Sequence, residues 1–182
     1  MDVIKTEIAD VLLIRPKVFT DLRGNFRETY NEERYRKAGV NCSFVQDNLV
    51  HSKQNVFRGL HFQLPPYQQA KLISMVHGEI LDIIVDLRKK SKTYLQQIRI
   101  KMNAENEDQL FIPPGFAHGY HVLSNDACIS YKVSVPYAPD HQGGIRWDDP
   151  ELKLTDIINR PILSDQDKDL PWLKDVLNNY NF

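Results

Sequence analysis

Three polar clusters interrupt stretches that otherwise read as core-forming strands, and each carries a group able to move a proton or hold a charge. The first is Phe57-Arg58-Gly59-Leu60-His61-Phe62-Gln63. Strict alternation sets Leu60 and Phe62 on one face and Gly59, His61 and Gln63 on the other, with Arg58 nearby. A glycine at this point lets a bulky ligand come close to the backbone. The second cluster, Gln109 to Gly119, reads as a strand, a Pro113-Pro114-Gly115 turn and a further strand entered by His118. The third is Tyr131-Lys132 with Tyr137, where Tyr131 shares a face with Val133 and Val135.

In a small β-barrel, inward side chains from different strands meet in the middle. His61 and Tyr131 on inward faces would point at one cavity, an arrangement that suits a general base on one side of a substrate and a general acid on the other. Lys71, in Gln69-Ala70-Lys71-Leu72, adds a cation where an oxyanion could develop. Ordinary core duty also explains a single inward histidine or tyrosine. Asp167 has an explanation without catalysis too, because Ser164-Asp165-Gln166-Asp167 has the spacing of a helix capping box. His51, His77, His121 and His141 read as structural or surface residues.

The elements that must position these groups are mainly strands. Gln97–Met102 and Cys128–Val135 alternate apolar and polar residues, and further strands fit Val11–Pro16, Phe57–Gln63, Leu72–Val76, Ile80–Leu87, Asp108–Ile112 and Gly119–Leu123. Turn residues between so many short strands predict an all-β, mainly antiparallel sandwich or barrel. Helices are few and peripheral: one capped by Asn31 and stopped at Gly39, and a turn opening at Ser164. No repeat or linker divides the chain, so residues 1–182 are expected to form a single domain.

Composition narrows the function. The formal net charge of -1 and the lack of a Lys/Arg block give no reason to expect nucleic acid. The longest apolar run, Ile80–Leu87, is broken by Asp82 and Asp86 and is too short to span a bilayer, and the first residues lack the layout of a secretion signal. Cys42 and Cys128 suggest neither a disulfide framework nor a zinc ribbon. A cytoplasmic protein is the expectation. Dinucleotide, P-loop and nucleophile-elbow motifs are absent from the sequence, which leaves side chains or a metal to run any reaction.

In their order along the chain, these segments resemble the dTDP-4-dehydrorhamnose 3,5-epimerase family of the cupin superfamily. The likeness runs from Phe19 to Pro171, through Asp21–Glu28, Phe44–Asn48, Phe57–Gln63, Gln69–Leu72, Ile112–Gly119, Tyr131-Lys132, Gly144–Pro150 and Leu163–Asp167. It implies a cupin-type jelly-roll barrel with a few short peripheral helices, working as a homodimer with exchanged N-terminal strands. The implied substrate is dTDP-4-keto-6-deoxy-D-glucose, epimerised at C3 and C5 with no metal and no cofactor. By the same resemblance, His61 is the base, Asp167 its orienting carboxylate, Lys71 the enolate's cation and Tyr131 the acid. Arg23, Glu28, Gln46, Asp47, Asn48, Arg58, His118, Tyr137 and Gln142 fall on substrate and nucleotide positions, Arg23 and Glu28 serving the partner's site and Tyr137 stacking near the thymine.

The chain departs from the family pattern at Gln166, where lysine is common, at Gln142, where an acidic residue is common, and at Ala70, where glycine is usual. Relatives that invert C3 or C5 alone keep much the same motifs. Two rivals remain: a metal-dependent cupin, weakened because His61-Phe62-Gln63 stands where a His-x-His pair would supply two ligands, and a non-catalytic binding module on the same fold.

Overall fold

The computed structural model describes residues 1–180, built from antiparallel strands with a few short helices at the periphery. A six-stranded sheet runs in the order β1 (Asp2–Lys5), β2 (Leu12–Arg15), β10 (Gln109–Ile112), β7 (Lys71–His77), β12 (Asp126–Val133) and β5 (Gln46–Lys53). Facing it is a five-stranded sheet ordered β13 (Gln142–Gly144), β6 (Phe57–Gln63), β11 (Phe116–Val122), β8 (Glu79–Asp86) and β9 (Gln97–Asn103). This is the cupin-type jelly roll expected from the sequence. A separate hairpin, β3 (Val18–Asp21) with β4 (Gly24–Arg27), pairs only with itself.

Alternation explains how the two sheets close on each other. Ile80 and Ile84 of β8 point inward and pack with Ile73, Met75, Leu110, Val122 and Ile129. The intervening Ile83 and Val85 point outward, where Phe57, Leu60, Phe62 and Ala117 join them under the C-terminal segment. That segment ends in α3 (Leu173–Asn179), whose Leu173 and Val176 are buried. On the outer face of the larger sheet, α1 (Glu32–Lys37) is capped by Asn31, whose side chain accepts from the Arg34 N–H at 3.0 Å. Its one buried residue, Tyr35, packs with Leu12, Ile14, Val40, Leu72 and Phe111. Among the described residues no helix is long and apolar enough to cross a membrane.

β6 breaks its own alternation. His118 pairs with His61 and Tyr120 with Arg58, so two steps along β11 match three along β6 and the chain bulges at Gly59 and Leu60. Phe57, Leu60 and Phe62 therefore all face outward, while Arg58 and His61 both face the interior. Gly59 adopts φ +119, and a Cβ there would lie 2.6 Å from the Gly119 Cα. The glycine serves the close approach of two strands, not the approach of a ligand as the sequence suggested.

Candidate active site

Beyond the apolar packing, the space between the sheets opens into a cavity of about 350 Å³. β6 and β11 supply Arg58, His61, His118 and Tyr120 on one wall; β7, β12 and β5 supply Lys71, Ile73, Tyr131, Ile129 and Val50 on the other. Ser164, Gln166 and Asp167 close one side. A second hollow of about 290 Å³ shares His61, Lys71 and Tyr131 with the first and extends past Gln46, Asn48, Gln69, Val133, Tyr137 and Gln142. Together they form one cleft, with the three proposed proton-handling and charge-bearing groups where its halves meet.

His61 Nε2 lies 2.6 Å from Asp167 Oδ1. Asp167 reaches it from α2 (Asp165–Lys168), whose N-cap Ser164 accepts the Asp167 N–H at 3.1 Å. Only half of the expected capping box forms, because the Asp167 carboxylate turns to His61 instead of back to the N-cap. An ionised aspartate accepts only, so this contact places the imidazole proton on Nε2 and leaves the Nδ1 lone pair free to take a proton.

A second histidine–aspartate pair lies deeper. His118 Nε2 is 2.9 Å from Asp82 Oδ2, and Asp82 is fully buried with its Oδ1 unpartnered among the described residues. Burial is the main influence on His118 and lowers its pKa; Asp82 opposes this, and the nearby Lys71 and His61 reinforce it. Enclosure by the cavity walls likewise pushes the Lys71 ammonium down to about 8, against the pull of the Asp82 charge. Lys71 still carries its charge at neutral pH. Burial raises the Tyr131 phenol, with Arg58 partly offsetting it, so Tyr131 holds its proton at neutral pH.

Of the residues singled out in the sequence, His61, Lys71, Tyr131, Asp167, Arg58, His118, Gln46, Asn48, Tyr137 and Gln142 all line the cleft. Tyr137 donates to the Gln142 carboxamide oxygen. Three others do not reach it. Asp47 lies on the outward face of β5 and accepts from Lys132 at 2.7 Å. Arg23 sits on the exposed hairpin, paired with Asp21, and Glu28 is held by Arg34. The four remaining histidines lie outside the cleft: His77 pairs with Asp126, His121 with Asn55, His51 lies beside Cys128, and His141 packs on Tyr67. Sequence reading assigned no role to Asp82, Ser52 or Tyr120. The signal for Asp82 was a carboxylate inside the most apolar run of the chain. Among the described residues no three His, Cys, Asp or Glu side chains converge as a metal-holding group.

Comparisons with known proteins bear on the family and the fold. The profile of dTDP-4-dehydrorhamnose 3,5-epimerase matches residues 5–175. A dTDP-4-dehydrorhamnose 3,5-epimerase of Shigella flexneri is 46% identical over 168 residues, covering 92% of this chain and 93% of its own. The crystal structure of the Bacillus anthracis enzyme of that name, with TDP and PPi bound, superposes with a TM-score of 0.91 at 44% identity, over 94% of this chain and 99% of its own. A Legionella pneumophila dTDP-6-deoxy-D-glucose-3,5-epimerase in complex with dTDP-4-keto-L-rhamnose superposes with a TM-score of 0.89 at 36% identity, over 99% of this chain and 94% of its own. With a family match spanning nearly its whole length, and the jelly roll shared, this chain belongs to the dTDP-4-dehydrorhamnose 3,5-epimerase family.

Proposed function

We propose that the protein converts dTDP-4-keto-6-deoxy-D-glucose to dTDP-4-keto-L-rhamnose in the cytoplasm, inverting C3 and C5 without metal or redox cofactor. The observation that carries this reading is the His61–Asp167 pair opening onto the same cavity as Lys71 and Tyr131. A ketone at C4 acidifies the hydrogens on C3 and C5, because the carbanion left behind is delocalised onto oxygen as an enolate. His61 Nδ1 takes the proton, and Asp167 stabilises the imidazolium that results. Lys71 lies against the enolate oxygen. Tyr131, contributed by the other sheet, returns a proton from the opposite face, and delivery from that side inverts the centre.

The second hollow suits the nucleotide. Tyr137 is half-exposed at its rim and offers a ring for the base. Gln46, Asn48 and Gln142 supply neutral hydrogen-bonding groups, while Arg58 and His118 flank the diphosphate and sugar. The β3–β4 hairpin completes the site of a second copy in a homodimer with exchanged N-terminal strands. Its Phe19, Leu22 and Phe26 are exposed, Leu22 fully so, and Arg23 lies outside its own cleft.

The test is incubation with dTDP-4-keto-6-deoxy-D-glucose in deuterated water, with deuterium counted at C3 and C5 by NMR. Label at both carbons is expected. Label at one carbon would make the protein a mono-epimerase, and none in folded, nucleotide-binding protein would sink the assignment.

A further inference from the structure

Arg58 is an exposed residue with a long, rotamer-rich side chain, yet one of its donors is tied down inside the barrel. Its Nε donates to Ser52 Oγ at 3.1 Å, and the same hydroxyl lies 3.1 Å from the Tyr120 phenol oxygen. Ser52 and Tyr120 are 5% and 8% exposed, so both ends of the tether are fixed by packing. The chain of bonds crosses the fold: Ser52 lies on edge strand β5 of one sheet, Arg58 and Tyr120 on paired strands of the other. Three features of the sequence meet here. Alternation along β5 turns Ser52 inward with Gln46, Asn48 and Val50. The bulge at Gly59 brings Arg58 to the cavity face, and Tyr120 stands two residues beyond His118 on the same inward face of β11.

A guanidinium has five N–H donors in a rigid plane. With Nε committed to Ser52, the two terminal nitrogens keep four N–H groups in a plane of fixed direction. Such a preset fork binds a diphosphate with less ordering of the side chain than a freely rotating arginine would need. A hydroxyl suits the tether because it can accept the Nε–H while bonding to the phenol, and it adds no charge to compete with the anionic ligand.

We propose that Ser52 and Tyr120 are positioning residues that clamp Arg58 Nε and preset its terminal N–H groups for the diphosphate of the substrate. The diphosphate rests on the epimerase reading above; the clamp itself exists in the free protein and is tested there too.

The experiment compares Ser52→Ala, Tyr120→Phe and Ser52→Thr with the unmodified protein, measuring kcat, KM and the Kd for dTDP. Ser52→Ala, which removes the acceptor of the Arg58 Nε–H, should raise KM and the dTDP Kd about 3- to 10-fold, the worth of one ordinary hydrogen bond, and Tyr120→Phe, which releases the Ser52 hydroxyl, should raise both by a smaller factor, with kcat within about twofold in each. Ser52→Thr, which keeps the hydroxyl, should restore both constants. In an Arg58→Ala background the two substitutions should have no further effect, which a general loosening of the barrel would not reproduce. Unchanged KM and Kd, equal effects with and without Arg58, or a fall confined to kcat would each overturn the clamp. If Ser52→Ala does not fold, Tyr120→Phe tests the tether one bond further out, since it removes the partner of the Ser52 hydroxyl and keeps the ring, and unchanged KM and Kd there would overturn the clamp. A separate readout needs no nucleotide. The Arg58 Nε–H resonance should be protected from water exchange in the free protein and lose that protection in Ser52→Ala; an unprotected signal in the unmodified protein would overturn the clamp. Failure of the unmodified protein to bind dTDP or turn over the sugar, with the resonance protected, would instead count against the epimerase reading alone.

Discussion

His61 and His118 face each other on paired strands, each with Nε2 against a buried aspartate, yet the two pairs are built for different work. The outer pair is partly open, with side-chain exposures of 28% for His61 and 5% for Asp167. Its carboxylate arrives from a short helix at the cleft's edge. The inner pair is nearly closed, at 10% for His118 and 0% for Asp82, and its carboxylate comes from the middle of a sheet strand. A base that takes a proton from substrate must touch it and later exchange that proton, which the outer pair permits. The inner pair instead fixes charge: Asp82 has one oxygen on His118, leaves the other unpartnered, and pulls on the Lys71 ammonium. On the proposed reading, the same two residue types would serve acid–base chemistry at the opening and electrostatic organisation behind it.

The largest effect should separate the two pairs. His61→Ala removes the proposed base and should cost about 10²–10⁴ in kcat, the usual worth of a positioned general base, and Asp167→Asn should follow it in the same direction. Neither should lower the melting temperature much, because the pair sits at the edge of the packed core. Asp82→Asn should show the reverse balance. It takes the Asp82 charge that acts on Lys71 out of a buried network and should cost about 1–3 kcal/mol of stability, while the deuterium exchange proposed for His61 should persist. Thermal melts and NMR exchange on the same three proteins check this. If Asp82→Asn abolishes exchange while leaving the melt unchanged, the division of labour is wrong.

How far the sequence announced this arrangement depended on what each strand had to bury. β8, β9, β11 and β12 were legible because alternating or continuous apolar residues pack on both sheets. β5 was not: Gln46 and Asn48 point inward to line a polar cleft and Ser52 points inward to bond Arg58, and this erases the apolar alternation that marks a strand. The four-residue strands β1, β3 and β4 bury almost nothing, so they left no pattern to read. The short helix α3 has no side-chain cap and was missed for that reason. Within the site, His61, Lys71 and Tyr131 were found by face and residue type. Arg58 could not be, because the bulge at Gly59 shifts the face on which every residue before it lies. By pattern alone Asp167 looked like a capping residue, and its backbone N–H does bond the cap; the family resemblance pointed to His61, and the fold shows the carboxylate turned there.

A subtler way to sharpen the comparison uses pH. The folded-state value for Lys71, about 8, lies below its ordinary 10.5, so the fold favours the neutral amine. Holding the ammonium costs stability below pH 8, and that cost fades as pH rises towards 10.5. Activity should therefore fall as pH passes about 8, where Lys71 loses the charge it offers the enolate, with no loss of fold on its account. Asp82 is the charge that raises the Lys71 pKa, so Asp82→Asn should move this alkaline limb to lower pH. Profiles of kcat against pH, with melting temperatures at each point, test both statements. A limb that stays put in Asp82→Asn would disconnect the inner pair from Lys71.

The smallest effect tests how the outer pair is held. Asp167 lies in a helix of four residues, too short to persist on its own propensity. Two bonds fix it: the Asp167 N–H to Ser164 Oγ and the Asp167 carboxylate to His61. Ser164→Ala removes the first and should cost about 1 kcal/mol, as loss of an N-cap usually does. For a chain of this length that corresponds to a fall of about 2–4 °C in melting temperature if the helix unfolds with the rest. The more telling readout is kcat, which should drop only a few-fold, because the bond to His61 still holds the carboxylate in place. Ser164→Asp, which restores an acceptor for the same N–H, should recover kcat and the melt together. An intact kcat in Ser164→Ala would mean that the histidine alone positions Asp167. A loss as large as that of Asp167→Asn would mean that the cap, and not the histidine, keeps the outer pair assembled.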